Sequence, residues 1–360
     1  SAVESNTEEN EVRPLFKDEL LFFVVMLGIF LIILFSIFLY LVMKKTRETK
    51  KRDVIESYKE EFQLPLFHFL REGVEEVEVG RDPLQVRALI ELMAGFSQTF
   101  ASEDILMRIR LFAEDHFDGE IKKHLRHRRW SMRMNGLYWI EDFGMRTMTA
   151  ELDRVYQSRR LTKQEEIQIL KIHIKNGSLD VMKAFMHPKH EFTEFEYSLL
   201  FQSLDITDFE GLMEAAGELP DVMHHSLIDS IGLRRNPRYA GFLEDKLGLA
   251  SSEIRIRALK AIVAMEHYLP ADTLADHLKA ESWQERLMAI KVCEYVRNPE
   301  LTGLLISLMR DASFYVRSQA AQAIMRLERG QEVLREIAIS EEDLYARDMA
   351  EQWLERGRIT

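Results

Sequence analysis

Residues 311–324 have the sequence DASFYVRSQAAQAI, and they decide the fold because their arginine and alanine recur at a fixed interval. In each copy an alanine stands three residues after an arginine, and successive arginines are 31, 31 and 30 residues apart. A fixed period of this length is typical of stacked helical hairpins. The four pairs are Arg255 and Ala258, Arg286 and Ala289, Arg317 and Ala320, and Arg347 and Ala350.

Turn-forming residues recur at the same interval. Asn236-Pro237 and Asn298-Pro299 precede apolar runs with helical spacing, and proline suits the first turn of a helix because its missing N–H costs nothing there. Serine or aspartate before each arginine segment suits a helix N-cap. We therefore expect eight or nine helix pairs over residues 61–360, the N-terminal ones degenerate. A bundle without repeats over residues 53–160 is the alternative.

The repeated residues have a physical role in such a stack. Neighbouring helices approach closely only where side chains are small, which the alanines provide. Three of the four arginines follow an apolar residue, and from this position the side chain can reach helix-end carbonyls or an acid of the neighbouring unit. We predict that role rather than a solvated charge.

These units resemble the HEAT family, and more closely its short bacterial, PBS-lyase-type form with the pattern D-x-x-V-R-x-x-A-A-x-A-L. Residues 311–324 match it well, although Asp311 stands five residues before Val316. The specific resemblance covers residues 251–357. It implies an all-α solenoid over residues 61–360 that acts as a protein-binding scaffold.

Toward the N-terminus, residues 20–43 have the sequence LLFFVVMLGIFLIILFSIFLYLVM, which is 24 residues without a charge. A helix of this length spans about 36 Å, enough for a hydrocarbon core of about 30 Å. A buried soluble helix rarely runs this long without a polar face. The sequence therefore predicts a single transmembrane helix.

The flanking charges predict its orientation. Residues 1–19 form a short acidic tail, whereas residues 44–60 form a basic juxtamembrane linker. The positive-inside bias places the tail outside the plasma (inner) membrane and the solenoid in the cytoplasm. The bases are also predicted to contact anionic headgroups, at about 1 kcal/mol each. They are Lys44, Lys45, Arg47, Lys50, Lys51 and Arg52.

Composition argues against several function classes. The net charge is −12, with the acidic excess after residue 52, which is unsuited to nucleic-acid binding. The single cysteine, Cys293, has apolar neighbours and is predicted to be a buried, inert thiol. The sequence contains no Cys pair, H-E-x-x-H motif or P-loop. We therefore expect no catalytic residues, metal, cofactor or small-molecule substrate.

A basic segment in residues 122–133 is a candidate docking patch for an acidic protein or for lipid headgroups. The alternative is a solvated helix face with Trp130 in the core. The residues of this patch are Lys122, Lys123, Arg126, Arg128, Arg129, Trp130 and Arg133.

Two functions are compatible with these features. The first is a membrane-anchored cytoplasmic scaffold or adaptor that recruits or regulates a partner protein, either cytoplasmic or membrane-bound. The alternative is a HEAT-like enzyme or cofactor-handling protein tethered to the membrane.

Overall fold

The computed structural model describes residues 5–73, 77–100, 102–177 and 180–357, and every regular element within these ranges is a helix. The predicted all-α class is confirmed. The chain divides into two compact units, Ser1–Val155 and Tyr156–Thr360.

One long helix, α1, dominates the first unit. The predicted membrane span and basic linker both lie within it, as does the acidic tail except for residues 1–4, which are outside the described residues. Lysine, arginine and glutamate are good helix formers, so the helix continues through the linker. The boundaries between tail, span and linker stay predictions. The helices are α1 (Ser5–Glu72), α2 (Pro83–Thr99), α3 (Glu103–His116), α4 (Asp118–Leu125), α5 (Trp130–Phe143) and α6 (Thr149–Tyr156).

The apolar part of α1 is exposed to its surroundings. From residue 21 to residue 43 only Gly28 is half-buried, and all other side chains are exposed. This helix is long and apolar enough to cross a membrane. No part of the described protein covers it, so its apolar surface needs another environment.

The rest of the first unit packs around the end of α1. Helix α1 contacts α2 and α3, α2 contacts α3 and α5, and α3 contacts α4 and α5. Ile55 and Leu66 of α1 are buried in this core. The assignment of residues 61–155 to the solenoid stays a prediction.

In the second unit the helices form two layers. The inner layer is the row α7, α9, α11, α13, α15, α17 and α19, in which each helix contacts the next. From α12 onward, each even-numbered helix packs against the inner helix that follows it. The helices are α7 (Lys163–Lys175), α8 (Val181–Met186), α9 (Glu194–Gln202), α10 (Ile206–Glu214), α11 (Asp221–Arg234), α12 (Ala240–Leu247), α13 (Ser252–Met265), α14 (Ala271–Leu278), α15 (Trp283–Val296), α16 (Thr302–Leu308), α17 (Phe314–Met325), α18 (Gly330–Ser340) and α19 (Leu344–Arg356).

Repeated chain reversals set the spacing of this stack. Arg235, Glu266 and Arg297 follow three inner helices at intervals of 31 residues, and each has a left-handed backbone with φ of 49–51°. After two of these positions, Asn236 and Asn298 accept a backbone hydrogen bond that starts the next turn. These are turns that the sequence predicted from their Asn-Pro pairs.

Candidate functional site

The repeated arginines join successive hairpins. Arg255 donates from Nη1 to the carbonyls of Leu249 and Ala250 at 2.8 Å, at the end of the preceding segment. Its Nε and Nη2 donate to the carboxylate of Glu285 in the next repeat, both at 2.8 Å. One guanidinium therefore closes its own hairpin and binds the following one, as bidentate geometry allows.

Arg286 repeats this arrangement one unit later. Its Nη1 donates to the carbonyls of Ala280 and Glu281 at 2.7 and 2.8 Å. Its Nε and Nη2 donate to Asp311 at 2.7 and 3.0 Å. Both acceptor types that the sequence suggested are thus used together.

The later arginines depart from the pattern. Arg317 keeps the two carbonyl bonds, to Asp311 and Ala312, but its Nε is buried without a hydrogen-bond partner among the described residues. The side chain of Arg347 is half-buried and has no partner in the described part of the chain.

The four repeated alanines lie in the core between the helices. Ala258, Ala289, Ala320 and Ala350 are all fully buried. A related close approach occurs between α11 and α13, where a Cβ atom on Gly232 would lie 3.0 Å from the Cα of Ala261. A small residue on each of these two inner helices therefore allows the neighbouring helices to approach closely.

Glu285 is a buried carboxylate of the stack with several hydrogen-bond partners. Besides Arg255, it accepts hydrogen bonds from His277 Nδ1 at 2.8 Å and from Ser252 at 3.1 Å. Burial alone would raise the pKa of this carboxyl, but the bonds from Arg255, His277 and Ser252 outweigh it and lower the pKa. Glu285 is therefore charged at neutral pH and neutralised within the fold.

Most of the predicted basic patch is engaged within the protein. Lys122 pairs with Asp118 at 2.6 Å and Lys123 with Glu120 at 3.1 Å. Arg126 binds the buried Glu151 at 2.7 Å. Burial would raise the pKa of the Glu151 carboxyl, but Arg126 and Arg154 outweigh burial, so the pKa is lowered. The two lysines therefore pair within α4, whereas Arg126 links the end of α4 to α6.

Arg133 belongs to the repeat pattern rather than to a surface patch. Its Nη1 donates to the carbonyls of His127 and Arg128, which are six and five residues before it, as in the later repeats. A Cβ atom on Gly136, three residues on, would lie 3.2 Å from Leu125. The arginine and small-residue pair therefore recurs in the first unit.

The exposed remainder of the patch is small. The side chains of Arg128 and Arg129 are exposed and have no partner among the described residues. Trp130 is 47% exposed. The alternative that placed Trp130 in the core is therefore wrong, because this residue opens α5 at the surface.

The six basic juxtamembrane residues are all exposed on α1. Arg52 differs from the others because it forms ion pairs. Arg52 pairs with Glu56 at 2.8 Å and with Glu91 of α2 at 3.2 Å, so it contributes to packing. The other five bases have no side-chain partner among the described residues. They are Lys44, Lys45, Arg47, Lys50 and Lys51.

No metal-binding cluster of three or more histidine, cysteine, aspartate or glutamate side chains occurs in the described ranges. Cys293 is buried, and burial raises the pKa of its thiol to about 12. The predicted buried thiol is confirmed, and its protonated state makes it a poor nucleophile.

A set of exposed apolar side chains was not predicted from the sequence. They occupy the first one or two positions of three successive inner helices, α15, α17 and α19. A comparison of helix-start positions across the repeats was the signal that could have found them. We call these residues the aromatic strip, and they are Trp283, Phe314, Tyr315, Leu344 and Tyr345.

A comparison with known protein families agrees with this architecture over part of the chain. Residues 271–355 match the model of the HEAT repeats, a span that runs from the start of α14 into α19. None of the curated proteins matches the chain. Among solved structures, the chain is similar to an engineered protein known from a crystal structure, with 11% identity over 76% of this chain and 80% of that chain. The TM-score of 0.32 makes this likeness too weak for any argument.

Proposed function

We propose that the protein is a membrane-anchored scaffold that binds other proteins, because residues 271–355 match the model of the HEAT repeats. In such an array each repeat contacts only its neighbours, so that one row of helices offers a long surface for recognition. The stack of α13 to α19, with Arg255 and Arg286 joining successive repeats, supports this assignment.

The exposed apolar stretch of α1 carries the membrane part of the proposal. Within the described part of the chain, no protein core covers its side chains from residue 21 to residue 43. Lipid is the environment that removes such a surface from water. The acidic tail before this stretch and the bases after it support an N-terminus outside the plasma membrane and a cytoplasmic solenoid.

The five exposed bases on α1 support contact with anionic headgroups at the cytoplasmic face. Arg128, Arg129 and Trp130 form a second exposed basic site, which we assign to an acidic partner or to the same headgroups. No catalytic role is proposed for any of these residues. The partner is a cytoplasmic or membrane-bound protein.

Purification of the full-length protein from solubilised membranes tests the scaffold proposal. We expect at least one other protein to copurify in stoichiometric amount. Substitutions at the exposed binding site of this protein should reduce the recovery of that partner. Arg128→Glu with Arg129→Glu tests the basic site, with Arg335→Glu as an exposed control on α18. A chain that purifies alone from its native membranes contradicts the proposal.

Orientation is tested separately with terminal epitope tags in sealed membrane vesicles. Protease added to the cytoplasmic face should remove the C-terminal tag, and protease added to the opposite face should remove only the N-terminal tag. Release of the intact protein by high salt alone would contradict membrane insertion.

A further inference from the structure

The aromatic strip exposes large apolar side chains at the starts of three successive inner helices. Its five side chains are 37–67% exposed, although large apolar residues at three successive repeats are costly to leave in water. The rings of Trp283 and Tyr315 stack with centroids 5.8 Å apart and planes 21° apart. Phe314 stands edge-on to Tyr315 at 6.0 Å. Neighbouring repeats therefore build one continuous exposed surface.

Arg317 lies beside this strip with one edge unused. In the two preceding repeats, the Nε and Nη2 edge of the arginine holds a carboxylate of the next repeat, from Glu285 or from Asp311. For Arg317 the acid at the corresponding place is Glu341, which pairs with Arg310 at 2.7 Å. Arg317 Nε is left without a hydrogen-bond partner among the described residues.

Aromatic rings flank the unused edge. The guanidinium carbon of Arg317 lies 5.0 Å from the ring centroid of Tyr345 and 6.0 Å from that of Phe314. Tyr345, the nearer of the two rings, is itself 67% exposed, and binding at this edge requires its side chain to move aside. A buried donor without an acceptor is costly, and a ligand that supplies the acceptor recovers that cost.

The ends of two helices add positive potential to the same surface. α15 and α17 begin at the strip, and their N-cap residues Ser282 and Ser313 make no side-chain capping bond in the described structure. Ser282 instead donates its hydroxyl hydrogen to Gln284 at 2.8 Å. Free N–H groups at helix starts favour an anionic ligand.

We propose that the aromatic strip and Arg317 bind a segment of a partner protein that carries an aspartate or glutamate next to an aromatic or aliphatic residue. The partner's carboxylate takes the place on Arg317 that Glu285 and Asp311 take in the preceding repeats. The adjoining apolar side chain packs on Trp283 and Tyr315. This inference rests on the proposed scaffold function and names the chemistry of its partner.

A peptide selection tests the proposal with the full-length protein in lipid nanodiscs. A random peptide library displayed on phage is selected against the wild-type protein. We expect enriched peptides to carry an acid beside an apolar residue. Replacing that acid by its amide in the synthetic peptide should weaken binding by roughly 10- to 100-fold, as expected for a charged hydrogen-bonded pair. Enrichment of nothing, or of peptides without an acid, overturns the proposal.

Protein variants locate the binding of that peptide. Arg317→Lys keeps the positive charge but loses the bidentate fork, and Trp283→Ala removes an exposed ring, so both should weaken binding by at least about tenfold. Phe195→Ala is the matched control, since Phe195 is 71% exposed in the first turn of α9, outside the strip. Circular dichroism checks that each variant is folded.

Unchanged binding in both folded variants overturns the proposal, and so does an equal loss in the Phe195 control. If the membrane partner still purifies with the strip variants while the peptide does not bind, the scaffold function stands and this site is wrong. If no partner purifies with the wild type, the proposed function itself fails.

Discussion

Replacing Glu285 by glutamine should loosen one interface of the stack. Glu285 is 1% exposed and accepts bonds from Arg255, His277 and Ser252. Glutamine keeps the shape but offers one oxygen and one NH2 group, so at least one donor meets another donor. The charge of Arg255 also loses its counterion.

The magnitude follows from the surroundings of that pair. Removing one partner of a buried ion pair costs about 3–5 kcal/mol. The side chain of Arg255 is 22% exposed and keeps its two carbonyl bonds, so part of this cost is relieved. We expect a loss of about 2–3 kcal/mol, which raises amide exchange through local opening by roughly 30- to 140-fold.

Hydrogen exchange of the full-length protein in nanodiscs measures this change helix by helix. Because repeats are stabilised by their neighbours, the loss should be concentrated in α13 and α15. Glu332→Gln is the control, since the Glu332–Arg329 pair is on the surface and its loss should leave exchange unchanged. If Glu285→Gln is as mild as the control, the arginine link does not hold the repeats together.

Three further predictions concern the same unit. The pKa of Glu285 is lowered in the fold, so its stabilising effect is complete above the ordinary glutamate value of about 4.3 and is lost as pH falls through the folded pKa. Thermal unfolding should therefore show a steeper loss of stability below about pH 4 in the wild type than in Glu285→Gln, and equal slopes would contradict this. Ala320→Leu should destabilise by about 1–3 kcal/mol in denaturant unfolding, because Ala320 is fully buried between helices, and a neutral effect would argue against close packing there. Cys293 should react with a thiol reagent only after denaturation, and rapid labelling of the native protein would show that α15 is open.

Local patterns in the sequence predicted much of the second unit. The recurring arginine and alanine defined the inner helices from α13 to α19, because each pattern lies within one helical turn. The Asn-Pro pairs predicted the turns for the same reason. The acidic partners of the arginines were harder to predict from the sequence, because Glu285 and Asp311 lie 30 and 25 residues further along the chain. Only stacking brings them into contact.

The candidate site was predicted less well than the fold. The basic segment from Lys122 to Arg133 suggested one patch, yet its charges are distributed among intramolecular pairs, a repeat link and an exposed remainder. Neutralising acids such as Glu151 come from another helix, which charge patterning along the chain does not indicate. Trp130 and the aromatic strip are exposed because burial of large apolar residues is a tendency rather than a rule.

The most direct test of the central claim is whether consecutive repeats lie side by side in the full-length protein. Single cysteines replace Trp283 and Tyr315, which belong to neighbouring helices and stack at 5.8 Å, and a short bifunctional thiol reagent is added to isolated membranes. The control pair replaces Trp283 and Tyr345, which are two helix spacings apart, or roughly 16–20 Å. We predict rapid bridging of the first pair and none of the control pair. Equal bridging of both pairs, or none of the first, would contradict the stacked-repeat account.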